Sequence, residues 1–445
     1  MIEKLDEANN IYEANEFGTL PREWKVAKLI ELAESNADIV GGPFGSNLKV
    51  SDYKNSGIPI IRLQNIERNH FFDKEIKYIS EEKAKELEYH SFKAGDIILA
   101  KIGDPIGKTC IVPSYLNYGI ATADVVRIRT TDDIIDKNYL AYVLNSDFCK
   151  DVFAREKTGT TRPRVNVSNV RNIKLPLPPM YEQRTIAHIL FTIQQAIEAT
   201  DKVINATQEL KKSIMQHLFT YGPVSLEEAE NVSLKETEVG MIPEHWELST
   251  INKTCDLRKE IVDPNKIKVE RYIGLGHIES NFPKLKKWGS SDDVKSSKSY
   301  FYPKDILYGK LRPYLRKAVL ADTEGICSTD ILVVKVKNYE DVFPEFLINI
   351  FHNSSFIQYA IQTTSGTNLP RTSWNAIKKY NFPLPAIAEQ KQISNHLSVL
   401  IKKELHELYR KESLQTLFNS MLHYLMTGKL RVNDLDLELP EVAEQ

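Results

Sequence analysis

NIKLPLPPMYEQRTIAHIL (residues 172–190) returns as KYNFPLPAIAEQKQISNHL (residues 379–397), with both PLP triplets and both Glu-Gln pairs at one constant offset. The prolines deny each PLP element a helix. Each is followed by roughly forty residues without glycine or proline, which predicts a long helix. In the first, Ile186, Leu190, Ile193, Ile197, Ile204, Ile214 and Leu218 fall on one heptad-like stripe, broken by Thr200, Thr207 and Lys211. In the second, Ile393, Leu397, Leu400, Leu414, Phe418, Met421 and Leu425 form the equivalent stripe, broken by Glu404, Glu407 and Lys411. The two stripes are expected to pair; the other reading packs each helix on its own globule.

Moving upstream, the match persists in order. EFGTLPREWKVAKL (16–29) matches EVGMIPEHWELSTI (238–251), and GIPIIRLQNI (57–66) faces ERYIGLGHI (270–278) more loosely. GDIILAKIG (95–103) matches KDILYGKLR (304–312), and GIATADVVRI (119–128) matches GICSTDILVV (325–334). A unit of about 200 residues is therefore duplicated. Its first part reads as short β-rich runs such as IPIIRL, DIILAKI and DILVVKVK, broken by turn residues. The linker after Tyr221-Gly222-Pro223 is about twenty residues, and a parallel helix pair would force it to run back nearly fully extended. The expected fold is thus α/β (α+β): two mixed globular domains separated by two long helices in an antiparallel coiled coil, with an internal pseudo-twofold repeat. The expected divisions are an N-terminal segment (1–19), a first domain (20–178), a helix (179–221), an acidic linker (222–242), a second domain (243–385), a second helix (386–428) and an acidic tail (429–445).

Composition agrees with a multidomain globular chain: 445 residues, 42% hydrophobic and 27% charged. No apolar run approaches about 18 residues and the first residues are charged, so a cytoplasmic protein without membrane contact is expected. Cys110, Cys149, Cys255 and Cys327 are scattered without CxxC or His neighbours, which suggests small buried hydrophobes rather than disulfides or zinc ligands. The net charge of −2 hides an uneven distribution. Glu227, Glu228, Glu230, Glu236 and Glu238 gather in the linker, whereas Lys266 to Lys317 is basic, either a phosphate-binding stretch or a solvated surface. GDPIGKT (103–109) has one residue too few between its glycines for a phosphate loop, and the TCIVP that follows reads as strand. Trp24 and Trp246 occupy one place in both copies, which favours scaffold packing over base stacking.

A Pro-x-x-Trp entry, a GDI-L-x-K strand, an Arg-Pro or Pro-Arg segment and a PLP-x-x-x-EQ helix start, all duplicated in order, together resemble the specificity subunits of type I restriction-modification systems. The resemblance covers nearly the whole chain. It implies two target-recognition domains, each reading one half of a bipartite, asymmetric duplex DNA site, with the helices as spacer. It also implies two docked methyltransferase subunits, with restriction subunits joined through them, and no catalysis by the chain itself. AdoMet, ATP and Mg²⁺ would then belong to partner subunits. The helices' outer faces and the elbows at Glu182, Gln183, Glu389 and Gln390 are the expected methyltransferase contacts. The resemblance does not carry over a target sequence.

For DNA contact the expected residues are cationic or amide side chains in turns after strands, since Arg and Lys bond guanine edges and Asn bonds adenine. In the first copy these are Lys101, Lys108, Arg162 and Arg164. The second copy offers Lys310, Arg312, Tyr314 and Arg316 in GKLRPYLRK, with Asn368 and Arg371 in SGTNLPRTS. The repeated Arg-Pro or Pro-Arg element reads equally well as a brace between domain and coil. The alternative function is a non-catalytic coiled-coil scaffold whose domains bind proteins, and steep salt dependence of duplex binding separates the two.

Overall fold

The computed structural model describes residues 12–15, 18–159, 163–266 and 269–435; Arg162 lies outside them. The chain divides into two compact units, one formed by residues up to 199 with those from 411 onward, the other by residues 200–410.

In the first unit the strands are β1 (Lys25–Lys28), β2 (Ile39–Gly41), β3 (Ile58–Ile61), β4 (Lys77–Ile79), β5 (Ser91–Lys93), β6 (Ile97–Ala100), β7 (Thr109–Ile111), β8 (Tyr118–Ala121), β9 (Val125–Ile128) and β10 (Lys174–Leu177). One antiparallel sheet has the order β7-β6-β9-β2 and a second the order β4-β3-β8-β5, in which β3 and β8 run parallel. The run Ile97–Ala100 is buried throughout, as a strand covered on both faces must be. Ile97 and Leu99 enter a core shared with the helix Lys137–Leu144, whereas Ile98 and Ala100 meet Phe92, Ala121 and Val125 between the sheets. The PLP element is strand β10, paired antiparallel with the entry strand β1.

The second unit repeats this plan with β11 (Glu247–Thr250), β12 (Cys255–Leu257), β13 (Ile261–Val262), β14 (Arg271–Ile273), β15 (Gly289–Ser290), β16 (Lys298–Phe301), β17 (Ile306–Gly309), β18 (Ala318–Leu320), β19 (Gly325–Cys327), β20 (Ile331–Val336) and β21 (Asn381–Leu384). Its sheets have the orders β12-β20-β17-β18 and β13-β16-β19-β14-β15, with β14 and β19 parallel. The order of these two sheets is the first unit's with β13 added at one edge. The first unit carries a further short hairpin, Ile66–Glu67 with His70–Phe71, that has no counterpart among the described residues of the second. The second PLP element, β21, again pairs with the entry strand, β11.

The long helices span Met180–Tyr221 and Ile387–Met426. In the first unit Ile186 and Leu190, at the start of one helix, share a core with Leu422 and Leu425, at the end of the other. In the second, Leu218 shares a core with Ile393 and Leu397, so the pairing is antiparallel within each unit. The sequence stripe needs correction, since its supposed breaks Thr200, Thr207 and Glu407 are buried as well. Leu400 is only half-buried and Ile401 takes its place inside, a one-residue shift of the kind expected because 3.6 residues per turn drifts against a strict heptad. Glu404 does not break the seam: it is 2% exposed and accepts bonds from Gln208 Nε2 at 2.8 Å and Lys211 Nζ at 2.6 Å.

All four cysteines are buried and unpaired. Burial pushes the thiols of Cys110, Cys149 and Cys327 up to about 12 and that of Cys255 to about 11, which keeps them protonated and unreactive. No helix among the described residues is long and apolar enough to cross a membrane.

Candidate nucleic-acid interface

The buried central strands β6 and β17 each deliver a lysine at their exit, Lys101 and Lys310. Lys101 N–H donates to the Asp124 carbonyl and Lys310 N–H to that of Asp330, both at 2.9 Å. The lysine carbonyls in turn accept from Val165 and Thr372, each at 3.0 Å. Reciprocal backbone bonds between Thr158 and Arg164 close a loop in the first copy, and bonds between Ser365 and Arg371 close its counterpart. The backbone therefore brings one Lys, one Asp and one Arg together at the end of each central strand.

The side chains use this placement differently. Arg371 Nε donates to Asp330 Oδ1 at 3.2 Å, and Lys310 Nζ lies 3.9 Å from the same oxygen. That leaves the terminal nitrogens of Arg371 uncommitted by this bond. In the first copy Arg164 is exposed and Lys101 half-buried. Burial holds the Lys101 ammonium below the usual lysine range, Asp124 opposes the shift, and Arg164 adds to it. Asn368 is exposed in the second loop, whose Pro370 carbonyl accepts from Arg312 N–H at 2.8 Å and so ties the loop to the GKLRPYLRK turn. In that turn Arg312 and Arg316 adopt positive φ of 52° and 51° around a half-exposed Tyr314. Left-handed backbone at two arginines is strained, by roughly 1–3 kcal/mol each.

Two groups of expected residues lie elsewhere than the sequence suggested. Lys108 Nζ is 2.5 Å from Glu67 Oε2, a partly exposed pair formed within the domain. Burial raises the Glu67 carboxyl, but the Lys108 bond and charge outweigh it and hold the group low. Glu182, Gln183 and Gln390 are buried, and their bonds turn inward, so they do not form an open docking surface. Gln183 accepts from Asp136 N–H at 2.9 Å and donates to Pro178 O at 2.8 Å; Gln390 repeats this with Phe343 N–H and Pro385 O, both at 2.9 Å. Asp136 and Phe343 precede equivalent helices, so each glutamine fastens a domain helix to the elbow. The glutamates hold the entry tryptophans: Trp24 Nε1 donates to Glu182 at 3.3 Å and Trp246 Nε1 to the half-buried Glu389 at 3.1 Å. The basic stretch is likewise partly internal, since Lys298 is buried on Ser296 and Lys317 donates to Leu275 O.

Sequence reasoning missed Asp124 and Asp330, although both stand at one position of the aligned pair GIATADVVRI and GICSTDILVV. It also missed Phe44, in the Gly-Gly-Pro-Phe-Gly segment that opens a cavity of about 490 Å³ lined by Lys101, Arg164, Tyr89 and His90.

A family model described as a type I restriction modification DNA specificity domain matches residues 21–208 and again 243–416. A putative type I restriction enzyme specificity subunit, MjaX, from Methanocaldococcus jannaschii is 24% identical over 443 residues, covering 95% of this chain and 97% of that one. The MjaVIII specificity subunit of the same organism is 28% identical over 342 residues, covering 72% and 76%. The EcoDI specificity subunit of Escherichia coli is 25% identical over 331 residues, covering 68% and 73%. Among solved structures, a type I restriction-modification S subunit from M. genitalium superposes with a TM-score of 0.55 at 13% identity, covering 91% of this chain and 96% of that one. A chain from a study of assembly and conformational transition of the type I R-M system gives 0.51 at 15% identity, covering 92% and 99%.

Proposed function

Because the chain belongs to the type I restriction modification DNA specificity family, we propose that its two Lys-Asp-Arg clusters each sit on one half of a bipartite duplex target. The protein is the sequence-specificity subunit of such a system and a non-catalytic recognition subunit. The observation that carries the proposal is the duplicated backbone arrangement at the exits of β6 and β17, which repeats although the side chains around it differ. Lys101 and Lys310 are suited to phosphate, which positions without specifying. Arg164, Arg371, Arg312 and Asn368 are suited to base edges, with Tyr314 beside them. Asp330 behind Arg371 orients the guanidinium without occupying its outer nitrogens.

The long helices carry the docking surfaces in this reading. Tyr181, Phe191 and Leu417 are exposed in the first unit, and Leu210, Val399 and Tyr409 in the second. Duplication supports two methyltransferase subunits, with restriction subunits bound through them in the cytoplasm, and places AdoMet, ATP and Mg²⁺ with those partners. Domain boundaries follow the repeat, with recognition domains at 20–178 and 243–385.

Coexpression with the partner methyltransferase, followed by sequencing of methylated adenines, tests the reading. Two short half-sites at a fixed separation are expected, with duplex affinity falling steeply as salt rises. Methylation without a shared bipartite motif would refute it.

A further inference from the structure

The sequence GGPFGSN (residues 41–47) forms a rigid projection rather than a loose loop. Gly42 N–H donates to Val125 O at 2.9 Å, and a Cβ at Gly42 would lie 2.0 Å from the Thr122 carbonyl oxygen, so only glycine permits this approach. Pro43 fixes the next φ. Asn47 N–H donates back to Phe44 O at 2.8 Å, closing a turn, and Leu48 is buried on the far side. At the tip Phe44 is 83% exposed. Both ends of the turn are thus anchored while its aromatic ring stands in solvent.

Its surroundings indicate what the ring meets. Phe44 lines the same cavity as Lys101 and Arg164. The lining sets the cations Lys101, Arg164 and Arg171 against one carboxylate, Asp124, and adds the exposed rings of Phe44 and Tyr89. A net positive surface with aromatic faces suits a polyanion that also offers flat apolar faces, which is the chemistry of a base-paired nucleic acid. A protein partner would gain nothing from the cations unless it were acidic. Among the described residues the second unit has no Gly-Gly-Pro-Phe projection at this place, where the exposed apolar residue is Ile261 in a paired edge strand. After β12 its chain continues through Arg258, which is chelated by Asp305 at 2.7 and 2.9 Å and stacks on Tyr302, 4.5 Å from the ring centroid.

We infer that Phe44 is an apolar wedge that enters the base stack of the half-site held by the first unit, unstacking one step there and none in the other half-site. The inference rests on the DNA reading above. Apolar side chains that insert between base steps exchange stacking between bases for stacking on the protein and kink the duplex locally. Pro43 and the anchored Gly42 supply the stiffness that a wedge requires.

The test uses the complete complex with its methyltransferase and the duplex site found by methylation sequencing. 2-Aminopurine is placed in turn at each position of both half-sites except the methylated adenines. The expected result is a fluorescence rise at one step of a single half-site. That rise is lost in Phe44→Ala and kept in Phe44→Trp, whose own emission is quenched on binding. Affinity falls roughly ten- to a hundredfold in Phe44→Ala, as expected for one stacked aromatic. Tight site-specific binding with no rise, or a rise that persists in Phe44→Ala, overturns the wedge and leaves the DNA reading standing. Loss of methyltransferase assembly in Phe44→Ala, with no change at any base, makes the tip a protein contact and also overturns it. Absence of duplex binding by the wild-type complex overturns both.

Discussion

Asn145 and His352 stand at the same place in the two units, at the end of the helices Lys137–Leu144 and Pro344–His352, and they solve one problem in two ways. Each must bond an edge strand packed against its helix. Asn145 does so completely: its oxygen accepts from Thr109 N–H at 3.1 Å and its nitrogen donates to Thr109 O at 2.7 Å. His352 bonds only Ala318 O, at 2.9 Å through Nε2, and its buried Nδ1 has no partner. The elbows differ similarly. Arg431 from the C-terminal segment closes on Glu182 and Glu23 in the first unit, whereas in the second unit the exposed His245 stands beside Trp246 against Glu389 and no arginine does so among the described residues. A common topology therefore does not mean a common set of stabilising contacts. The sheets and glutamine bonds repeat, while the groups at the periphery have diverged.

The largest effect expected from that divergence is on the target. Replacing residues 243–383 by the corresponding segment of a related subunit leaves the repeated β11–β21 exit and the Gln390 anchor to be rebuilt by equivalent residues, so the chimera is expected to fold. Its methylation pattern should show one new half-site and one retained. Two altered halves, or none, would break the independence of the units.

Next in size is the elbow. Arg431 Nη2 lies 2.5 Å from Glu182 Oε1, and both side chains are largely buried. Removing one partner of such a pair leaves the other charge uncompensated, at about 3–5 kcal/mol. Glu182→Ala and Arg431→Ala should each destabilise the first unit by that order, seen as faster hydrogen exchange in its core strands. His245→Ala, at a solvent-exposed pair, should cost less than about 1 kcal/mol in the second unit. Equal losses in both units would mean that the C-terminal segment adds nothing.

What the sequence made legible follows from what repeats. The long helices showed because glycine and proline are absent over their lengths, and the strands β6, β17 and β20 because apolar runs of strand length lie between turn residues. The antiparallel pairing followed from the shortness of the linker. Interior polar chemistry was harder to read. Glu404 reads as a break in an apolar stripe until Gln208 and Lys211, distant in sequence, are seen to satisfy it. Gln183 and Gln390 read as surface features because a helix start is commonly exposed, and only their bonds to Asp136 and Phe343 show them to be internal. In the site, the cations were visible one at a time. Their convergence depends on the Ile102–Arg164 and Leu311–Arg371 bridges, which no local pattern announces.

The histidine difference gives the two units different acid sensitivity. Burial, with Lys211 and Arg316 adding to it against the Ala318 bond, lowers the pKa of His352 from 6.5 to about 4. The folded state therefore binds fewer protons than the unfolded chain in that window, and stability rises with pH through it. The contribution is intact above about pH 6.5 and is lost as pH falls toward about 4, up to roughly 3 kcal/mol. Asn145 has no such titration. Segment-resolved hydrogen exchange at pH 7 and pH 5 should show residues 344–362 losing protection that 137–156 keep, and His352→Asn should remove the difference. Equal acid loss in the variant would mean that other groups cause it.

The smallest effect concerns one backbone position. Asp96 and Asp305 each cap a turn, accepting from Lys93 N–H at 2.7 Å and Tyr302 N–H at 2.8 Å. The residue before each is left-handed: Gly95 at φ 84° and Lys304 at φ 69°. A side chain there costs roughly 1–2 kcal/mol in strain, while glycine loses about 0.4–1 kcal/mol through the greater freedom of the unfolded chain. Space does not decide the matter, because a Cβ at Gly95 would meet only the end of Lys137, at 3.5 Å. Lys304 also sets its ammonium 5.4 Å from the Tyr339 ring centroid, worth about 0.5–1 kcal/mol at an exposed site. Lys304→Gly thus relieves strain but loses the ring contact and adds unfolded-state entropy, and should fall within about 0.5 kcal/mol of neutral by urea unfolding. Gly95→Lys gains no such ring contact and should destabilise by about 1 kcal/mol. If both exchanges proved neutral, the turn would tolerate either residue without strain; if Lys304→Gly destabilised by more than Gly95→Lys, the Tyr339 contact would outweigh the backbone.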